Sequence, residues 1–439
     1  MTTPTGKELL TMDGWPGGVN NRIRETEQKA MRDGVTIPSS QFLREALNVD
    51  LTEEGHPLRR QGYSLHTAGY AHSAYGCDPL GVFCVVIDGL LLAGRSPDNL
   101  YTQATLNRYN QVEYSHINDS IYYSNGQVIG QIHGPTLTHS SVGVPVAPIP
   151  VVTGPATENP NGWDDTRQVA VVYVDLNGEE GGASEPVIVG ADGAFTVDIP
   201  MPLPSGVSEA RIYVSSVSSE ILYHAQSTIT VSPITIYPSN IGVGKELDTL
   251  NLKPPKAGQI VRHFNGRMYV ARNDQVFFSE ALRFALTRPS QGVYMFPEFV
   301  TLLEPSTDGV YVGSKAGVVF LSGSDPYAVT QIHVSPYAPV EKAVARVPGE
   351  KFGVPVDYVP VWWGVDGVMV VGLPGGQLKQ LTRDRLAVPE FAAGAVSLRE
   401  YEGMSHVVSS LRRGEGSNPM GATDTVVAEV RRNNIVLNN

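Results

Sequence analysis

Residues 301–322 read TLLEPSTDGVYVGSKAGVVFLS, two β-type runs broken by two turn signals. Thr307-Asp308-Gly309 and Lys315-Ala316-Gly317 put glycine where a tight turn needs positive φ, and apolar residues alternate with small ones on either side. Val310, Val312, Val318 and Phe320 are expected to share one face at a period of two, so the stretch predicts the inner hairpin of a four-stranded unit. The signal recurs. Ile87-Asp88-Gly89-Leu90, Phe264-Asn265-Gly266-Arg267 and Val365-Asp366-Gly367-Val368 each set Asp-Gly or Asn-Gly before an apolar run, and Ile117-Asn118-Asp119-Ser120 is a looser copy. Such units cannot bury both faces alone. Repeated, they predict a mainly β chain, a β-propeller-like array of antiparallel blades.

Composition agrees with that reading. Hydrophobic residues make up 41% of 439 and charged residues only 17%, with 45 Gly and 32 Pro, the mark of a turn-rich globular chain. The formal charge of −12, from 32 Lys plus Arg against 44 Asp plus Glu, opposes tight binding to a phosphate backbone, which needs clustered cations. It leaves room for nucleic acid to pass without being held. Cys77 and Cys84 are the only cysteines, so a disulfide framework and a cysteine-based zinc site are excluded, and a reducing compartment is expected during folding. No basic segment followed by a long apolar one opens the sequence, and no run reaches the ~18 apolar residues of a bilayer span. A soluble cytosolic product with no membrane span is expected.

The order of segments predicts five regions. Residues 1–50 form an N-terminal arm with short helices, one over 22–33, where helix formers and opposite charges alternate, and one over 39–47, with Phe42, Leu43, Ala46 and Leu47 on one face. Residues 51–135 begin the array. Residues 136–167, with Pro145, Pro148, Pro150, Pro155 and Pro160 among them, read as an extended linker, because proline lacks the donor a central strand needs. Residues 168–240 read as an inserted antiparallel sandwich, with strands near 169–174, 195–199 and 210–214. Residues 241–439 resume the array. The strand-like runs 425–430 and 434–437 are expected to join its last blade to its first, removing exposed edges.

The stretch LREALNVDLTEEGHPLRRQGYSL (residues 43–65), preceded by GGVNN at 17–21, resembles the opening of β-propeller proteins from the tails of short-tailed bacteriophages, the nozzle or hub proteins. The match lies at Ala46, Asn48, Val49, Asp50, Gly55, Leu58, Arg59, Arg60, Gly62 and Tyr63. It implies a helix leading to an acidic hairpin and then to a basic strand that starts the first blade. The Glu-Gly-Gly-Ala-Ser-Glu-Pro loop at 180–186 and the Arg211-Ile212-Tyr213 strand are similar to the fibronectin type III-like modules of phage tail proteins. The resemblance implies a virion tail component made in the host cytoplasm: a homo-oligomeric, hexameric ring in contact with an adaptor and with fibres or spikes. Double-stranded DNA would pass through it transiently, without specific binding. Arg59 and Arg60 are the candidate interface residues.

Chemistry is sparse by contrast. The ten histidines are scattered without metal-site spacing, and neither a Gly-x-Ser-x-Gly elbow nor a phosphate-binding Gly-rich loop occurs. Asp164, Asp165, Glu179 and Glu180 are the carboxylates nearest to a glycosidase pair, yet neighbours on a strand point to opposite faces and a Glu-rich turn is expected to be solvated. Trp362 and Trp363 read as blade core and blade-to-blade packing. No catalytic residue, cofactor or metal is assigned. The alternative function is a tail-borne carbohydrate-binding protein or glycan depolymerase on a propeller scaffold, with a lectin-like receptor binder built around the insert as a third.

Overall fold

The computed structural model describes residues 67–155, 165–386 and most of 388–412, shorter stretches at 19–20, 22, 29–32, 35–38, 43, 49–51 and 56–59, and the backbone of 424–431 and 434–438. It is nearly all β, and no α-helix occurs among the described residues. β1 (Lys29–Arg32) and β2 (Val35–Pro38) form one hairpin, and β3 (Val49–Leu51) and β4 (Pro57–Arg59) a second. β5 (Ala71–Cys77), β6 (Val82–Ile87), β7 (Leu90–Ser96) and β8 (Asn99–Thr105) make a four-stranded antiparallel meander; β9 (Glu113–Ile117), β10 (Ser120–Ser124), β11 (Ile129–His133) and β12 (Thr138–Ser141) make the next. An insert follows, built from β13 (Val151–Thr153), β14 (Thr166–Asp175), β15 (Val187–Gly190), β16 (Phe195–Asp198), β17 (Val207–Ser215), β18 (Leu222–Thr228) and β19 (Ile234–Ile236). A third sheet contains β20 (Ile260–Phe264), β21 (Arg267–Arg272), β22 (Gln275–Glu280), β23 (Arg283–Thr287) and β24 (Val293–Met295). The fourth is β25 (Val300–Pro305), β26 (Gly309–Ser314), β27 (Gly317–Ser322) and β28 (Thr330–Ser335). Finally β29 (Pro339–Pro348), β30 (Tyr358–Gly364), β31 (Met369–Leu373) and β32 (Gln377–Gln380) join β33 (Ala393–Tyr401), β34 (Met404–Arg412), β35 (Asp424–Arg431) and β36 (Asn434–Asn438) through one parallel pair, Glu341 with Ala393.

Contacts divide the chain into two compact units, residues 69–296 and residues 1–68 with 297–439. In the first unit, consecutive sheets share cores. Val86, Leu91 and Ala93 of one meander pack on Ile121, Tyr123 and Ile132 of the next, and Ile117 and Tyr122 pack on Val261, Met268 and Val270 of the third. Sharing buries the second face of each sheet, the role four-stranded blades require. Asp-Gly and Asn-Gly turns close the hairpins as expected: Asp88 and Gly89 (φ 51° and 83°) link β6 to β7, and Asn265 and Gly266 (φ 46° and 69°) link β20 to β21. They do not mark one fixed position, since the first joins second and third strands and the other joins first and second.

In the second unit, β26 and β27 are the two central strands of their sheet, as residues 301–322 predict. The expected grouping of side chains is corrected by the register. Tyr311 lies opposite Phe320 and Val310 opposite Leu321, so directly paired residues share a face. Val318 and Phe320 join Tyr311 in a core with Leu302 and Trp362, while Val310 and Val312 face the other way. β26 is buried along its whole length, and a strand covered on both sides no longer reveals its faces through polarity. Trp362 and Trp363 are core as expected, the second donating Nε1–H to Ser409 Oγ at 2.9 Å. Val19 of the N-terminal arm is fully buried in that same core, with Val340, Val347 and Leu386.

Four further expectations change. The helix over 22–33 gives way to strand at Lys29–Arg32, because Val35-Thr36-Ile37 beyond Asp33-Gly34 offers a β-branched hairpin partner. Leu43 of the second expected helix makes a parallel bridge to Val19, and the rest of 39–47 lies outside the described residues. The proline-rich stretch is not all linker. Thr138–Ser141 is the outer strand of the second meander, and Val151–Thr153 is an edge strand of the insert, a place where flanking prolines cost no ladder bond. The terminal strands β35 and β36 pair with each other and with β34, the nearest open edge in sequence, and not with the first meander.

The insert is a two-sheet sandwich, β13-β16-β19 over β15-β14-β17-β18. Between the sheets, Val169, Val171, Tyr173, Ile212 and Val214 meet Phe195, Val197, Ile234 and Ile236. The alternate residues Ala170 and Val172 of β14 are buried as well, under Tyr213, Ala183, Leu222 and Leu247. Part of that second cover, Leu247 with Leu250 packed against it, lies outside the span 168–240. A fragment spanning 143–252 is therefore expected to unfold cooperatively in urea, monitored by circular dichroism, whereas 168–238, lacking β13 and the 247–252 cover, should lose that cooperativity. Equal transitions from the two fragments would contradict this assignment of the core.

Candidate functional site

In unit 69–296 a polar cleft of about 480 Å³ lies where the sandwich meets the second and third sheets. Its architecture starts at the end of β14. Asp175 turns the chain by accepting the amides of Asn177 and Glu179 on Oδ1, each at 2.8 Å, while Gly178 (φ 84°) takes the left-handed position. The chain then doubles back along β14, with the Gly181 amide donating to the Tyr173 carbonyl and the Ser184 amide to that of Val171. A Cβ at Gly182 would stand 1.9 Å from the Leu252 carbonyl oxygen, so only glycine lets 181–184 slide between β14 and the returning chain. The loop singled out by its sequence is thus the wedge that seats the insert.

Its first residue, Glu180, is the hub. The carboxylate is 6% exposed. It accepts hydrogen bonds from Arg211 Nη1 (2.6 Å), the Tyr213 hydroxyl (2.6 Å) and Lys245 Nζ (3.1 Å). Arg211 and Tyr213 lie on β17, and Lys245 on the segment leading out of the sandwich. Arg211 is also held by Glu209 at 2.6 Å, and Asp248 pairs with Arg283 of β23 at 2.5 Å. Six charges, three of each sign, thereby tie the sandwich to the third sheet. Burial pushes the Glu180 carboxyl up, but the bonds from Tyr213, Arg211 and Lys245 outweigh it and hold it below its ordinary range. The bond from Arg283 is the main cause holding Asp248 low. Burial, then the bond to Glu180, raises the Tyr213 phenol, which stays a donor at neutral pH.

Glu180 was expected to be solvated and is instead the most engaged carboxylate of the cleft, a role invisible in a Glu-Glu-Gly-Gly turn because its partners lie 31, 33 and 65 residues away. Glu179 and Asp165 are exposed, and Asp164 lies outside the described residues. Arg59 is exposed at the end of β4, opposite Val49, and Arg60 lies outside the described residues. Among the described residues no group of three or more His, Cys, Asp or Glu is placed to hold a metal ion. Also among these residues, no helix is long and apolar enough to cross a membrane.

No family model matches the chain, and no curated protein does. Among solved structures, Hsv2 of Kluyveromyces lactis is 6% identical, aligns over 81% of this chain and 91% of its own, and has a TM-score of 0.29. BBS1N in complex with ARL6DN is 11% identical over 79% and 93%, with a TM-score of 0.32, and Hsv2 of Kluyveromyces marxianus is 7% identical over 80% and 88%, with a TM-score of 0.27. TM-scores this low carry no weight, and the fold rests on the sheets themselves.

Removing one partner of a buried ion pair strands the other, so Glu180→Ala is expected to destabilise unit 69–296 by about 3 kcal/mol in urea titrations, and Arg211→Ala by a comparable amount. Both Glu180 and Asp248 have folded pKa values below their unfolded ones. Their contribution is therefore complete above the ordinary carboxylate pKa of about 4 and is lost as pH falls through the lower folded values. Burial holds the His139 and His224 imidazoles below their ordinary range, so stability should begin to fall below about pH 6.5 and drop further below about pH 4, with a shallower acid limb in Glu180→Gln. An unchanged acid limb in that variant would remove Glu180 from the clamp.

Proposed function

We propose that this protein is a structural tail component of a short-tailed bacteriophage, of nozzle or hub type, whose copies form a ring continuing the genome-ejection channel. In this reading the four-stranded sheets are propeller blades and the sandwich is a fibronectin III-like contact module. The observation that carries it is how the charges are used. The six charges of the clamp are spent on one another, holding the module in place, and the module's remaining surface is acidic. Residues 151–240 hold eleven Asp and Glu against two Arg, a large part of the chain's net charge of −12. Arg211 is committed to Glu180 and Glu209, and Arg167 donates to the Ser215 carbonyl. Asp165, Glu185, Asp192, Asp198 and Glu220 stand exposed. Such a surface repels a phosphate backbone and suits a passage that DNA must clear without sticking.

The β3–β4 hairpin, pairing Val49 with Arg59 and Asp50 with Leu58, falls where the resemblance places its acidic hairpin, and exposed Arg59 fits a contact with a neighbouring subunit. A ring of identical subunits needs a heterologous interface, where a basic patch on one copy meets an acidic patch on the next. Electron microscopy of the purified protein and of assembled tails is expected to show closed rings with a net-negative inner wall. Arg59→Glu combined with Arg60→Glu should abolish the rings and leave the far-ultraviolet spectrum unchanged. A protein that remains monomeric in the particle, or a lumen lined mainly by Lys and Arg, would overturn the proposal.

A further inference from the structure

The cleft holds one group that the ion clamp leaves over. Thr249 is 1% exposed, lines the cleft, and its hydroxyl has no hydrogen-bond partner. A buried hydroxyl without a partner is costly, and valine of nearly the same shape would avoid the cost. Around it the lining is amphipathic. Tyr122 and Phe284 meet edge-on, ring centroids 6.3 Å apart, as an apolar wall. Gln131 and Ser140, hydrogen-bonded to each other at 2.9 Å, form a polar rim exposed to solvent. Glu179 presents an exposed carboxylate opposite, and burial followed by that nearby charge pushes the Tyr122 phenol up to about 12, so it remains a donor at neutral pH.

An anion is disfavoured here, because each of the three cations in the lining is already matched: Arg211 and Lys245 by Glu180, and Arg283 by Asp248. The remaining lining offers hydroxyl and amide groups, one open carboxylate acceptor and an aromatic wall, inside a volume within the usual range for small-molecule sites. We infer that the cleft is a binding site for a neutral polyhydroxylated ligand of saccharide type. Its apolar ring face would lie on Phe284 and Tyr122, and its hydroxyls would bond Thr249, Glu179 and the Gln131 amide. This assignment is independent of the ring-forming role and stands or falls separately.

The test uses the full chain, with saturation-transfer NMR and calorimetry against glucose, galactose, N-acetylglucosamine, maltose and lactose, and with inorganic phosphate and sulfate as the anionic arm. Binding of at least one saccharide is expected, in the millimolar range or tighter, with no measurable binding of either anion. Thr249→Val removes only the unpaired hydroxyl, and its melting temperature should equal or exceed that of the parent. It should nevertheless weaken saccharide binding about five-fold, as should Glu179→Gln, while Asp192→Asn, on the exposed turn before β16, changes nothing. Failure of all five saccharides to bind the folded parent, binding of the anions alone, or unchanged affinity in both cleft variants would each overturn the assignment.

Discussion

Two sheets must stay in register across an interruption of more than a hundred residues, and the contacts that achieve this set the rest of unit 69–296. The chain leaves the second meander at β12 and returns at Gly258, where the Ser124 hydroxyl lies 2.6 Å from the Gly258 carbonyl and accepts the Gly258 amide at 3.0 Å. Two residues into β20, Arg262 reaches back to Glu113 of β9 at 2.8 Å and to the carbonyl of Tyr114. The insertion is therefore energetically local: the two sheets share Ile117, Val261 and Met268 as though nothing separated them in sequence. A surface excursion between fixed end points costs little extra as it lengthens, and here it had room to become a folded module.

The same device appears in the other unit. Arg346 of β29 reaches Glu304 of β25 at 3.0 Å, and that glutamate is almost fully buried. In both places a first strand contributes a carboxylate and the first strand of a neighbouring sheet an arginine. Apolar contact holds such sheets together but tolerates sliding, whereas an ion pair in a poorly solvated seam fixes position because a shift leaves a charge unmatched. The Glu180 clamp applies this logic once more, between sandwich and sheet, with enough partners to offset the burial of its carboxylate.

A site fastened by balanced charges has a chemical consequence. Carboxylates locked to guanidinium and ammonium groups are held low and deprotonated, poor candidates for donating a proton near neutrality. What remains available in the cleft is neutral hydrogen bonding, the exposed Glu179 carboxylate and aromatic surface.

Local signals in the sequence determined the class of the fold. Asp88-Gly89 and Asn265-Gly266 specify two-residue turns because positive φ is costly for other residues, and the continuous apolar run Val169–Val174 announces a strand buried on both faces. The hairpin at β26–β27 was legible from a glycine of positive φ as well, Gly317. Which sheet neighbours which was decided only in three dimensions, as was the capture of Val19 by the core of residues 340–411. So were the facing of Val310 away from Phe320, and the choice of Glu180 over Glu179 as the hub. Those outcomes depend on partners tens to hundreds of residues distant, and on strands covered on both sides, where the alternation of polar and apolar residues that makes a sequence readable has disappeared.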